Sequence, residues 1–272
     1  MDALRFRLRV FLAALICIMV IGAVGFMIVE RLSIGDAFYF SIVTISTVGY
    51  GDVHPSTGTG KILAVFLIVA GVGTFLGLVA TVTEMLLNKR EKSVRLEKLN
   101  MLIGAFFSEV GTKLLIHFSD CDPKLNKIRK ELIVAGDWSG QEFSRVSRRL
   151  RNYDYGIDIQ KVDLEDLRNF LIKKRNFSLR LLENPTLLEH ESFTDLLRAV
   201  FHLTEELDAR ENLSNLPDTD YEHLAGDIKR AYILLVHEWL DYMKYLKDNY
   251  PYLFSLAMRT NPFDKNASPV VK

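Results

Sequence analysis

The most specific chemical pattern in this sequence is the stretch from Thr47 to Asp52, which reads Thr-Val-Gly-Tyr-Gly-Asp. Two glycines alternate there with larger residues, and glycine adopts backbone conformations that other residues avoid. This alternation lets successive carbonyl oxygens point toward one axis, where they can replace the water around a cation. The predicted chemistry is therefore coordination of an alkali cation by backbone oxygens.

The other side chains of this stretch fit the same arrangement. Val48 and Tyr50 would point away from the axis and wedge the strand against neighbouring pore helices. Thr47 would add its hydroxyl to its carbonyl at the inner end. One chain supplies one such strand, and a closed ring of oxygens needs four strands. The expected functional unit is a symmetric homotetramer.

The segment just before these residues must position them. Residues 34–46 are too apolar for an exposed loop and too short to span a bilayer, which predicts a re-entrant helix. Ser33 and Asp36 are spaced as an N-cap and its partner, so the helix should begin near Ile34 and end near Ser46. Its C-terminal end carries partial negative charge, which favours a cation beyond it.

Two longer apolar segments flank this re-entrant helix. No charged residue occurs in Val10–Val29 or in Ile62–Thr83. Each run has about 20 residues, or roughly 30 Å of helix, which matches the hydrocarbon core of a bilayer. We therefore expect two membrane spans, at 11–29 and 62–87. A signal peptide is the alternative for the first run, but that run is longer than usual and lacks a clear cleavage site.

The flanking cations predict the orientation of both spans. Cationic residues are dense before the first span and after the second, whereas the intervening residues 30–61 carry few. Positive residues favour the cytoplasmic side, so both termini should be cytoplasmic, with the chain in the cell (inner) membrane. The cations that carry this prediction are Arg5, Arg7, Arg9, Lys89, Arg90, Lys92, Arg95 and Lys98.

With these features in place, the first third of the chain resembles a two-transmembrane prokaryotic potassium channel. Residues 37–75 are similar to the pore of the calcium-gated archaeal-type channels. The resemblance implies passive conduction of potassium, with motion of the inner helix as the gate. It also implies that Thr47, Val48, Gly49 and Tyr50 carry the oxygens that bind potassium, and that Gly51 completes the strand.

The resemblance assigns further roles outside this strand. Asp52 would lie at the outer mouth, and Gly71 would be the hinge of the inner helix, with close helix packing as the alternative for this glycine. Glu84 would ring the inner mouth, unless it only marks the end of the span. Tyr39 and Phe40 stand where many relatives have two tryptophans, and only the tyrosine hydroxyl can replace an indole donor to the acid behind the filter.

The remainder of the chain, residues 89–272, is rich in charge and shows helical periodicity. Residues 101–118 are apolar but interrupted by charged residues, so we expect a cytosolic core or membrane-surface helix rather than a third span. Alternating strand patterns are scarce, and no dinucleotide-binding turn is present. The predicted helices are 123–134, 139–152, 163–182, 186–212 and 218–248.

Two pairs in this helical region have spacings that could hold a metal ion. His202 and Glu205 lie one turn apart, as do His237 and Asp241, although solvated or core side chains would show the same spacing. Aromatic residues near the C-terminus fit core or subunit packing. The cluster of Arg145, Arg148, Arg149 and Arg151 could face lipid head groups or simply solvent.

The sequence as a whole predicts an all-α membrane protein. Its expected parts are a cytoplasmic N-terminus (1–10), a pore domain (11–88) with the filter at 47–52, and a helical cytosolic domain (89–272). We expect a channel rather than an enzyme, with no cofactor beyond the permeant potassium ion. The net charge of zero gives no argument for nucleic acid, whereas a cytosolic regulatory ligand is open. The alternative is a membrane-anchored sensor that conducts little.

Overall fold

The computed structural model describes residues 2–187 and 190–271. Helices and turns account for the regular structure of these residues, which contain no β-strand. The chain divides into two compact units, Met1–Val94 and Arg95–Lys272. The all-α class predicted from the sequence is therefore confirmed.

The first unit is built from α1 (Asp2–Val29), α2 (Ile34–Ile45), α3 (Gly58–Leu67) and the start of α4 (Gly73–Phe106). A π-helical turn, Ile68–Val72, joins α3 to α4. The α1 helix begins at Asp2, so most of the predicted N-terminal segment continues the first span. The α4 helix likewise extends well beyond the predicted end of the second span at residue 87.

Packing inside this unit is limited to one small apolar core between α1, α2 and α3. Phe26 on α1 and Phe40 on α2 meet edge to face, with ring centroids 4.6 Å apart, and Leu67 lies beside them. Most other apolar side chains face outward, and Ile28 and Ile62 are each 73% exposed. Among the described residues, two helices are long and apolar enough to cross a membrane. An apolar outer surface of this extent fits lipid rather than water.

The predicted start of α2 is confirmed. The Ser33 hydroxyl accepts a 3.2 Å hydrogen bond from the Asp36 amide and donates a 2.8 Å bond to the Asp36 carboxylate. These bonds satisfy one of the free amides at the start of the helix. The helix ends at Ile45, with Ser46 as its C-cap.

In the described part of the second unit, the rest of α4, a π-helical turn Phe107–Gly111 and six further α-helices surround one large core. Residues 101–118 form part of this core, since Phe106, Val110, Leu114 and Phe118 are fully buried. The prediction of a core segment rather than a third span is confirmed. The six helices are α5 (Thr112–Asp120), α6 (Gly140–Arg151), α7 (Leu164–Leu182), α8 (Glu191–Asp208), α9 (Asp218–Asn249) and α10 (Pro251–Arg259).

The prediction of one helix over 123–134 is wrong. The segment forms two short 3-10 turns, Leu125–Lys127 and Arg129–Leu132, whose apolar side chains still reach the core. Their backbone and side chains bond to other parts of the chain: Asn261 donates to the Leu132 carbonyl at 2.9 Å, and Arg129 donates to the Phe263 carbonyl at 2.9 Å. Tertiary bonds therefore override the local helical pattern here.

Two boundaries also differ from prediction. The helix predicted over 186–212 is shorter, because α8 starts only at Glu191, with His190 as its N-cap, and ends at Asp208. Part of the predicted start, residues 188–189, lies outside the described residues. Pro251 does end α9, but it also opens α10, because proline fits the first turn of a helix without loss of a hydrogen bond.

Candidate cation-coordinating site

The backbone of the Thr47–Asp52 stretch alternates in the sign of φ. Thr47, Gly49 and Gly51 have φ values of 63°, 56° and 79°, whereas Val48 and Tyr50 between them are not in the positive region. Reversing the sign at every second residue turns alternate peptide planes over, so successive carbonyls no longer alternate between the two sides of the strand. The strand therefore has the backbone needed to present a row of carbonyl oxygens to one side.

Thr47 is the member of this alternation that sequence reasoning missed. A β-branched residue with positive φ is a genuine outlier and costs about 1–3 kcal/mol. The available signal was its place two residues before Gly49, in register with both glycines.

The strand is attached to the end of α2 through its amides. The Val48 and Gly49 amides both donate to the Val43 carbonyl, at 3.1 and 3.2 Å, and the Thr47 amide donates to the Thr44 carbonyl at 3.1 Å. These bonds occupy carbonyls that would otherwise be free at the helix end. They also turn the strand's first amides toward α2.

The side chains of Val48 and Tyr50 are 53% and 73% exposed in the single chain. Their predicted packing against neighbouring helices is therefore not provided within one chain. Both lie beside a strand whose amides already bond to α2, so their exposed surfaces are available to another copy of the chain.

Asp52 at the outer end of the strand bonds back to α2. The Tyr39 hydroxyl donates to its Oδ2 at 2.9 Å. This is the contact for which the sequence offered a tyrosine in place of an indole donor. The adjacent Phe40 serves another purpose, because it is buried against Phe26 of α1.

Glu30 is a second anchor of this region that sequence reasoning did not identify. Its carboxylate accepts four hydrogen bonds, from the amide and hydroxyl of Ser56 and the amide and hydroxyl of Thr57, at 2.6–3.1 Å. The Thr57 hydroxyl bond is the main reason that the pKa of Glu30 falls to about 2. The carboxylate thereby joins the end of α1 to the first turn of α3, and Gly60 leaves the space that it occupies.

Gly71 lies in the π-helical turn and packs against the end of α2. It is buried, and a Cβ at this position would come within 2.6 Å of Cγ1 of Ile45. Gly77 similarly faces the Phe11 ring, whereas Gly73 has no such neighbour among the described residues of the chain. The packing role is therefore visible for Gly71, and the π-helical turn adds the kind of irregularity found at helix bends. Glu84 is exposed on α4.

His202 and Glu205, whose spacing is compatible with a metal ion or with solvated side chains, do not face each other. Glu205 points to Arg175, whose guanidinium donates to it at 3.0 and 2.8 Å. His202 instead faces Glu206, one residue further along α8. In the other predicted pair, burial lowers the pKa of His237 and raises that of Asp241, its neighbour on α9.

Comparison with known proteins matches each unit separately. Residues 13–88 match the family model described as "Ion channel". The probable potassium channel protein 2 of Methanocaldococcus jannaschii is 40% identical over 73 residues, 26% of this chain and 21% of the relative. The calcium-gated potassium channel TvoK of Thermoplasma volcanium is 31% identical over 97 residues, 33% of this chain and 28% of the relative. The matches to these channels thus cover about a quarter of their length.

These matches agree with the apolar helices, the re-entrant α2 and the irregular strand that follows it. The chain is a membrane protein whose first unit is an ion-channel domain of the prokaryotic potassium-channel class, and it is a channel rather than an enzyme.

The second unit defines the particular family. Residues 95–259 match the model described as the C-terminal helical domain of the uncharacterized protein MJ1433. The M. jannaschii protein MJ1433 itself is 50% identical over 190 residues, 70% of this chain and 76% of that relative. The chain belongs to the MJ1433 family.

Proposed function

We propose that this chain forms a potassium-selective channel as a homotetramer and conducts potassium passively down its electrochemical gradient. The alternation of φ over Thr47, Gly49 and Gly51 is the observation that carries the proposal. It supports a row of carbonyl oxygens on one side of the strand, of the kind that replaces the hydration shell of potassium. Thr47, Val48, Gly49 and Tyr50 supply the oxygens, Gly51 ends the strand, and no resident cofactor takes part.

The exposure of Val48 and Tyr50 supports the tetramer. One strand cannot surround an ion, and these two side chains are poorly covered within one chain. Four copies around an axis close the ring of oxygens and give both side chains a partner. Asp52, held by Tyr39, then lies at the outer mouth.

The gate is motion of the inner helix, formed by α3, the π-helical turn and α4. Gly71 in that turn is the proposed hinge, and Glu84 is proposed to line the inner mouth. The helical unit, residues 95–272, biases this gate through a ligand or partner of its own. Cationic residues cluster before the first span and after the second span, and few lie between them. This distribution supports a chain in the cell membrane with both termini on the cytoplasmic side.

Reconstitution tests the proposal directly. Purified full chain in liposomes should take up potassium or rubidium in preference to sodium, and external barium should block the uptake. Native mass spectrometry of the same preparation should give four chains per particle. Intact tetramers without barium-sensitive flux would overturn conduction and favour a membrane-anchored sensor. Flux from a preparation of another stoichiometry would overturn the tetramer alone.

A matched pair of glycine variants tests the role of the strand. A Cβ at Gly49 or at Gly58 would meet no atom within 4 Å, but only Gly49 has positive φ, at 56°. Gly49→Ala should therefore abolish selective flux through backbone strain alone. Gly58→Ala should conduct as the unmodified chain does. Normal potassium selectivity in Gly49→Ala tetramers would contradict the assigned strand.

A further inference from the structure

Helices α8 and α9 each carry a histidine and a carboxylate one turn apart, and the two pairs face each other. His202 and Glu206 are on α8, and His223 and Asp227 are on α9. An i, i+4 spacing places both side chains of each pair on one face of its helix. Because α8 and α9 pack closely, two histidines and two carboxylates converge at one place.

The distances from Asp227 to the two histidines match those between ligands that share one ion. The ligand atoms of His202, Glu206 and Asp227 all lie within 4.8 Å of one another. Oδ2 of Asp227 is 3.5 Å from Nε2 of His202 and 3.3 Å from Nε2 of His223. In tetrahedral zinc sites with bonds of about 2.0–2.2 Å, neighbouring ligand atoms are about 3.3–3.6 Å apart.

Asp227 supplies independent evidence for a missing partner. Its side chain is only 4% exposed, and its Oδ2 atom accepts no hydrogen bond among the described residues. A buried carboxylate oxygen without a donor is costly, so such atoms normally have a hydrogen bond or a metal ion. This oxygen points to the space between the two histidine rings.

The surrounding charges fix the carboxylates without filling that space. Arg210 donates to Oε2 of Glu206 at 2.9 Å and forms two bonds to Asp220, at 2.8 and 2.6 Å. Arg230 lies 3.4 Å from the other oxygen of Asp227. These three carboxylates and two guanidiniums leave one net negative charge, which favours a cation at this place. Partners that orient metal ligands in this way are typical of metal sites.

We propose that His202, Glu206 and Asp227 bind one divalent transition-metal ion of the zinc class, with His223 as a fourth ligand from the exposed side. Imidazole and carboxylate ligands in a tetrahedral arrangement favour zinc over calcium or magnesium, which take more oxygen ligands. His202 and His223 are 45% and 52% exposed, so the ion can enter from solvent. Binding would join α8 to α9 within the helical unit.

Zinc titration of the full chain in detergent, after treatment with EDTA, tests the site. One zinc ion per chain should bind, and cobalt substituted for zinc should show the strong visible absorption of tetrahedral coordination. His202→Gln should weaken binding by more than about 100-fold, beyond the 10–100-fold effect of an outer-sphere partner, and His223→Gln should weaken it less. His117→Gln, which removes a histidine outside the cluster, should change nothing.

Thermal melting gives a second measurement that does not depend on zinc affinity alone. In EDTA, Asp227→Asn should melt at or above the temperature of the unmodified chain, because it removes a buried carboxylate whose Oδ2 atom accepts no hydrogen bond among the described residues. In saturating zinc the unmodified chain should melt at the higher temperature of the two proteins, because only its folded state is stabilised by the bound ion. Zinc binding that survives His202→Gln, or zinc that raises the melting temperature of both proteins equally, would overturn the site. The same holds if the unmodified chain binds no zinc.

Discussion

The Tyr39 hydroxyl donates a 2.9 Å hydrogen bond to Oδ2 of Asp52 and so connects α2 to the outer end of the strand that follows it. The two residues are 13 positions apart, and the chain between them contains the whole proposed filter. A single bond therefore closes a loop that begins on the helix and returns to it. Loss of this hydrogen bond should shorten the lifetime of the strand conformation. It should not displace the carbonyl oxygens that are proposed to select potassium.

Removal of this bond tests that separation. Tyr39→Phe should keep the preference for potassium over sodium but shorten the conducting periods, because the hydrogen bond to Asp52 is lost. Single-channel recording in bilayers measures both properties. Tyr39→Trp is the matched control, because an indole N–H can donate to the same acid. Equal inactivation in the phenylalanine and tryptophan variants would contradict the role of the hydrogen bond.

Glu30 should make the stability of the pore unit depend on pH. Hydrogen bonds lower its pKa to about 2 in the folded chain, from an ordinary value of 4.5. A lowered folded pKa contributes stability above the ordinary value and loses it as pH falls toward the folded value. Glu30→Gln should therefore lower the melting temperature at neutral pH, and its difference from the unmodified chain should shrink between about pH 4.5 and 2.

Gly60 provides the steric counterpart of this prediction. A Cβ there would overlap the Glu30 carboxylate, so Gly60→Ala should destabilise the unit at neutral pH as well. The control is Gly58→Ala, two residues earlier, which meets no neighbour. A difference in melting temperature between Glu30→Gln and the unmodified chain that does not change with pH would contradict the lowered pKa of Glu30.

Gly71 allows packing and bending to be separated experimentally. Gly71→Ala should lower the melting temperature of the tetramer, because the new methyl group would lie 2.6 Å from Cγ1 of Ile45. Overpacking of this kind costs about 1–3 kcal/mol. The double variant Gly71→Ala/Ile45→Ala should lose less stability than the two single variants lose in sum, because Ile45→Ala removes the atoms that the new methyl group would meet. A double-mutant cycle measures this difference.

The channel activity of the same proteins addresses the hinge. If the inner helix also bends at Gly71, conduction should stay reduced in the double variant although the melting temperature of the tetramer recovers. Gly73→Ala is the control, since it replaces a glycine in the same helix without a neighbour within the described chain. Full recovery of conduction in the double variant would leave packing as the role of Gly71.

Asn261 holds the C-terminal segment to the rest of the helical unit. The residue is 1% exposed, donates to the Leu132 carbonyl at 2.9 Å and accepts from the Phe263 amide at 2.9 Å. Asn261→Ala should lower the free energy of unfolding by about 1–3 kcal/mol for each partner left unsatisfied. The exposed Asn266→Ala is the control.

Tryptophan fluorescence during urea unfolding measures this change selectively. The chain has two tryptophans, Trp138 and Trp239, and both lie in the helical unit. Trp239 packs edge to face on Phe263, with ring centroids 5.0 Å apart, so it reports directly on the attached segment. Equal unfolding midpoints for both asparagine variants would contradict the proposed attachment.

The spans, the cap of α2 and the strand after it were predictable because each depends on local pattern. An uncharged run of spanning length and the Ser33–Asp36 spacing can each be recognised within one continuous segment of the chain. The Glu30 anchor was not predictable, because its partners Ser56 and Thr57 lie 26 and 27 residues away. Only the fold brings a carboxylate at the end of α1 to the first turn of α3.

The helical unit shows the same limit. Helical spacing predicts an acidic residue beside His202, but Glu205 and Glu206 are equally compatible with that spacing. In the structure Arg175 donates a hydrogen bond to Glu205, and His202 faces Glu206. The approach of Asp227 from another helix could not be foreseen from spacing on α8. Spacing along one helix thus indicated which residue types could lie together, and tertiary packing decided which of them do.

The alternation of φ at Thr47, Gly49 and Gly51 also has a stereochemical consequence. A D-amino acid favours positive φ for the same steric reason that an L-amino acid avoids it. The strand is therefore equivalent to an alternating L,D-peptide that is assembled from L-residues and glycines. Gly49 and Gly51 avoid the steric cost of positive φ because glycine has no chiral centre. Thr47 is the L-residue among the three positions with positive φ, and it carries that cost. Handedness thus accounts for glycine at positions 49 and 51, whereas Thr47 adopts the same sign of φ against its own stereochemical preference.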